Sequence, residues 1–189
     1  DLGCFVAPTI RPGVSDHHMA FPGTISLSKE TFEAVVVDYC RSLDAHGFEN
    51  IVLFTSHGGN SEVLAKAAER GDDELKARIF VAGNRDGFIE TRYDAMAEHD
   101  VDSGEAGQHA GAAETSFIME IRPDLVDEGS SERGHVGEVD GNELMESGLA
   151  SVTDNGVLGD QTKASRAAGR TLIDQCVAFY AEQIRSEIE

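Results

Sequence analysis

Three short stretches of this chain carry residue types suited to breaking bonds. In the first, His57 closely follows the apolar run "NIVLFT" (50–55), and Gly58, Gly59 and Asn60 come directly after it. Paired glycines remove side chains where the chain turns and let another group approach the backbone. The second stretch is "EAGQHAGAAETS" (105–116), in which His109 and Glu114 lie five residues apart. A carboxylate beside a histidine suits metal ligation or proton transfer. The third, "SDHHMAFPGT" (15–24), sets Asp16, His17 and His18 side by side, ahead of a rigid Pro22–Gly23 turn. Alternate residues of an extended loop point opposite ways, so one histidine is expected to face a site and the other solvent. Each stretch also has a plainer reading, as a structural histidine, a capped helix start or a solvated loop. The sequence holds no GxSxG elbow, Walker motif or dinucleotide fingerprint.

The elements that must position these residues follow from periodicity. "GCFVAPT" (3–9), "NIVLFT" (50–55) and "ARIFVAG" (77–83) read as strands, the last two as buried parallel ones. Ser28 is placed to cap a helix, with Glu30 favourable to its dipole. Phe32, Val35, Val36, Tyr39, Cys40 and Leu43 recur there at helical spacing, and Gly47 closes the helix. Asn60 is expected to cap a helix over about 60–70. A helix over 110–121 stops before Pro123, and a long amphipathic one covers 161–188. The polar stretch 84–108 shows no clear element, and 124–160 reads mostly as loop. Alternating strands and helices imply right-handed crossovers and a parallel sheet. The expectation is an α/β fold, a three-layer sandwich with a mostly parallel sheet, in a single domain over 1–189. Sites of such sheets form beyond the carboxyl ends of strands, which puts 55–60 and the 10–23 loop on one rim.

A net charge of −20 argues against nucleic acid and anionic membranes as partners. No apolar run reaches the roughly 18 residues of a membrane span. Asp1-Leu2-Gly3 shows no leader pattern and no initiator Met, so the chain is expected to begin inside a longer protein. Cys4, Cys40 and Cys176 are odd in number and lack CxxC spacing. They are expected to be reduced core residues of a cytoplasmic protein.

"SDHHMAFPGTISL", "SHGGN" and "QHAGAAETS" with "RPDLV" after it, in this order, resemble the blocks of the creatininase family of amidohydrolases, and "GVLGDQTKAS" (156–165) resembles its closing segment. The resemblance implies a parallel-rich α/β sandwich and a homo-oligomer, usually a hexamer. It implies hydrolysis of a C–N bond other than a peptide bond, in a small, often cyclic, amide, with one or two divalent ions: zinc, manganese or iron. Carried over residue by residue, it makes His57 and Glu114 metal ligands and His109 the catalytic proton-transfer residue. His18, Gly58, Gly59 and Asn60 become candidates for the substrate pocket. Creatininase itself has a glutamate where this chain has Gly59, which points away from creatinine. The family's N-terminal Glu-x-His and Asp ligands have no counterpart here, so the chain is either a fragment or a variant rebuilt around Asp16 or His18. Rival readings are a family hydrolase acting on a formamide, a peptide-like amide or a keto-sugar ring, and a non-catalytic scaffold subunit that lost the metal.

Overall fold

Ser28 opens the first helix: its side chain accepts from the Thr31 amide, and α1 runs Lys29–Ala45. Phe32, Val36, Val37 and Cys40 form its buried stripe. That stripe is turned slightly from the expected one, since Val37 goes in and Tyr39 is 37% exposed. Gly47 follows with a φ of +84°, and its amide donates to the Asp44 carbonyl, closing the helix as expected. β1 (Asn50–Leu53), α2 (Ser61–Glu74) and β2 (Arg78–Val81) then form a β-α-β unit, its strands parallel with Ile51 opposite Ile79. Both isoleucines join a core with Val14, Phe32, Val63 and Leu64. Gly71 lets α2 press onto β2, for a Cβ there would lie 2.5 Å from Ile79 Cδ1. On β2, Arg78 lies over the Phe80 ring and pairs with Glu187 near the chain's end.

This structure, a computed structural model, describes residues 3–189. Asp1 and Leu2, from which the N-terminus was read, lie outside the described residues. The chain divides into two units. The first comprises Asp1–Asp16, Gly23–Arg85 and Tyr180–Glu189, and the second His17–Pro22 and Asp86–Phe179.

The second unit is helical. It contains most of α3 (Arg85–Ala97), then α4 (Ser103–Ala106), α5 (Ala112–Ile121), α6 (Gly141–Ser147) and the larger part of α7 (Arg166–Ile188). Its core is mostly alanine, with Ala95, Ala106, Ala112, Ala113 and Ala168 around Met96 and Leu172. Small side chains let helix backbones touch: a Cβ on Gly169 would come within 2.8 Å of the Ser116 carbonyl carbon. The stretch 84–108 therefore holds two helices. The buried residues of α3 are Arg92, Ala95 and Met96, too polar a stripe to show as apolar periodicity.

The parallel sheet packed with helices agrees with the expected α/β class, but one expected strand is missing and the sheet is smaller than expected. Residues 3–9 form no strand, and Phe5 and Val6 are 88% and 93% exposed. The sheet has two strands among the described residues. The outward Ile79 amide of β2 donates to Asp72 Oδ1 at 3.1 Å rather than to a neighbouring strand. The three cysteines form no disulfide among the described residues, and Cys40 and Cys176 are buried as expected, but Cys4 is exposed. Burial pushes the Cys40 and Cys176 thiols above their ordinary range. No helix among the described residues is long and apolar enough to cross a membrane.

Candidate functional site

In the first unit, Thr55 sets the backbone of His57 by accepting its amide at 3.2 Å. The half-buried ring reaches back, with Nε2 2.9 Å from the Val14 carbonyl oxygen and 3.2 Å from Ser15 Oγ. A carbonyl only accepts, so the network assigns a proton to Nε2. Asn60 ties the same loop down. Its Oδ1 accepts the Val14 amide at 2.9 Å, and its Nδ2 donates to Thr55 at 3.2 Å. The expected helix cap is therefore corrected: the Asn60 side chain makes no cap bond because Val14 has taken its oxygen. Gly13 makes that reach possible, since a Cβ there would lie 2.5 Å from Asn60 Oδ1. Gly58 and Gly59 start a short 3-10 turn without positive φ. Gly58 thus leaves room rather than bending the chain, with Arg85 Nε, at 3.9 Å, nearest to where its Cβ would be.

In the second unit, α5 begins after Gly111, which has no side chain to cap it. Glu114 reaches back instead, its Oε2 accepting the Ala110 amide at 2.8 Å. Its Oε1 faces Arg92 Nη2 at 3.7 Å, and Nη2 donates to the Gly107 carbonyl at 3.4 Å. Arg92 is buried at 6% exposure, while the Glu114 side chain is 38% exposed. His109 is clamped by a bridge to Leu158, whose amide donates to the His109 carbonyl at 2.8 Å. Leu158 also bridges to His135, so residues 157–159 run between two other backbones. Glycines permit this: a Cβ on Gly107 would lie 2.7 Å from the Leu158 carbonyl carbon, and one on Gly134 the same distance from that of Val157.

The His18 ring packs edge-on against His109, centroids 4.3 Å apart at 70°, and His17 packs against His18 at 4.1 Å. The expected alternation of one histidine inward and one to solvent does not occur. Asp16–His18 is a 3-10 turn rather than an extended loop, and His17 is buried. The second unit thus brings His18 to His109 and ties Glu114 to Ala110, the residue after His109. His57, Gly58, Gly59 and Asn60 belong to the first unit. Sequence reasoning misses Arg92, Ser15 and Leu158. Only Leu158 leaves a trace, in the flanking glycines Gly156 and Gly159, both with positive φ.

Among the described residues no three His, Cys, Asp or Glu side chains gather as a metal ion requires. The buried side-chain nitrogens without a hydrogen-bond partner there are Arg92 Nε and His135 Nε2. A guanidinium only donates, and it repels a cation. The described residues do not by themselves make a complete centre for a divalent ion.

The family profile described as Creatinine amidohydrolase, that of the creatininase family, matches residues 1–184. A mycofactocin precursor peptide peptidase from Mycolicibacterium smegmatis is 32% identical over 189 residues, 98% of this chain and 68% of that protein. A creatinine amidohydrolase from Pseudomonas putida is 26% identical over 200 residues, 98% of this chain and 76% of that protein. Among solved structures, a creatininase in its Mn form matches with a TM-score of 0.71 and 25% identity, over 88% of this chain and 67% of that one. A mutant creatininase of Zn–Zn type is alike in fold, with a TM-score of 0.71 and 23% identity over 93% and 72%. This chain spans about two thirds of the length of the curated mycofactocin peptidases it matches.

Proposed function

This chain belongs to the creatininase family, and from that premise we propose that the protein is an amidohydrolase that cleaves a C–N bond in a small amide substrate. The observation that carries the reading is the fixed imidazole of His109, its backbone bridged to Leu158 and its ring packed against His18. Hydrolysis of an amide stalls unless the departing nitrogen is protonated, and a positioned imidazole contributes roughly 10²–10⁴-fold to such a step. His109 gives that proton, and His18 keeps the donor ring in place. Gly58, Gly59 and Asn60 are the proposed substrate contacts of the HGGN turn, where Gly58 leaves open space. His57 and Glu114 are each proposed as a donor to divalent metal, of the zinc, manganese or iron kind. The described residues by themselves supply no complete ligand set for the ion.

A peptide-like amide is the second reading of the substrate. It is favoured by the higher identity to the precursor peptide peptidase, 32% against 26% for the creatinine amidohydrolase. Gly59, where creatininase has a glutamate, points away from creatinine. Assembly with further copies of the chain and a cytoplasmic location complete the proposal. Light scattering on the purified protein reads the first.

The test is His109→Ala in the natural full-length protein, assayed on creatinine and on short peptides. Turnover of the accepted substrate falls at least about a hundredfold, with metal content and melting temperature unchanged. Unchanged turnover refutes the role of His109. A natural product with neither metal nor turnover on either substrate makes the protein a scaffold.

A further inference from the structure

Ala110 has a φ of +50° in the turn that follows His109. A residue with a Cβ adopts that region rarely, and only where its surroundings hold it there. The holding group is the Glu114 carboxylate, which accepts the Ala110 amide through Oε2. Its other oxygen faces Arg92, which also touches the Gly107 carbonyl. The one guanidinium therefore grips the chain on both sides of His109, at residue 107 directly and at residue 110 through the carboxylate. Arg92 is itself fixed by burial and by the Phe88 ring, 5.4 Å from its guanidinium carbon. Glu114 is partly exposed, so without Arg92 water and alternative rotamers compete for it. Each carboxylate oxygen keeps a second lone pair, so this bracing is compatible with a ligand role for Glu114.

We propose that Arg92 is a positioning residue for His109, acting through Glu114 on the strained turn at Ala110. The inference rests on the reading of His109 as the proton donor.

Amide hydrogen exchange, measured residue by residue on the protein by NMR, reads the brace without any substrate. Arg92→Met raises exchange at Ala110 about tenfold, as loss of a charge-assisted brace predicts. Exchange at Met119, in α5 beyond Glu114, stays as it was. Glu114→Ala raises Ala110 exchange at least as much, and adding Arg92→Met to it changes nothing further. Glycine enters positive φ freely. The His109 ring signals that shift in Arg92→Met therefore return in the double variant with Ala110→Gly. The proposal is overturned by Ala110 exchange within twofold of wild type, by an equal rise at Met119, by additive effects, or by ring signals that Ala110→Gly does not restore. If Arg92→Met does not fold, Glu114→Ala decides alone, and unchanged exchange at Ala110 overturns the proposal. The His109→Ala turnover assay tests the underlying reading separately, so either can fail while the other stands.

Discussion

Replacing Gly107 with alanine attacks the frame of His109 at its tightest point. Gly107 has a φ of +73° and a ψ of 174°, a region open essentially to glycine alone, and moving a residue with a Cβ into it costs roughly 1–3 kcal/mol. The new Cβ would also lie 2.7 Å from the Leu158 carbonyl carbon and 2.8 Å from Gly159 Cα. These are backbone atoms held by bridges to His109 and His135, so they cannot rotate aside. Overpacking of this kind adds roughly 1–3 kcal/mol, for a total of about 2–6 kcal/mol. Gly47→Ala is the control, with a φ of +84° and nothing within 4 Å of the added Cβ. It should lose only the cost of a positive φ at a helix end, about 1–2 kcal/mol. With a urea slope of about 2 kcal/mol/M, the midpoint drops by roughly 1–3 M for Gly107→Ala and 0.5–1 M for Gly47→Ala. Equal midpoints for the two variants, with unchanged slopes, would refute the claim that backbone crowding around Leu158 holds this segment.

Asn60→Ala strips the acceptor from the Val14 amide, beside a side chain 2% exposed, and should cost about 1–3 kcal/mol in urea unfolding; a loss below about 0.5 kcal/mol would show that water replaces the bond. In the native protein at neutral pH a thiol reagent should label Cys4 quickly, and Cys40 and Cys176 only on unfolding, because burial raises their thiols and blocks access. Three equally fast thiols contradict that assignment. Glu62 is held below its ordinary carboxyl value of 4.5 by Lys66 and then Lys29, and Glu74 by Arg70 and then Arg41. Depressed folded-state values add stability that is present in full above pH 4.5 and is lost as the pH falls further. Melting temperature should therefore drop in acid, and less steeply for Glu62→Gln, Glu74→Gln than for wild type. At 1 M salt, where the screening length is about 3 Å, the difference between the two should vanish.

Signals that act within one helical turn are legible in this sequence. Ser28 caps α1, Gly47 closes it, and α5 begins within two residues of its expected start, because caps and positive-φ turns depend on neighbours along the chain. The apolar runs at 50–53 and 78–81 pair as parallel strands, since strands buried on both faces read as continuous apolar segments. The His/carboxylate blocks are legible as well, as motifs of ordered residues. What needs a distant partner is not. Residues 3–9 have a strand's composition but no ladder to join, and Asn60 has a cap's chemistry but spends it on Val14, 46 residues away. Arg92 lies in a stretch that reads as polar, and becomes a buried brace only where folding brings it to Gly107 and Glu114. Local backbone preference chose the elements. Only tertiary contact could decide which polar groups meet, because each buried donor or acceptor must find its partner wherever the fold supplies one.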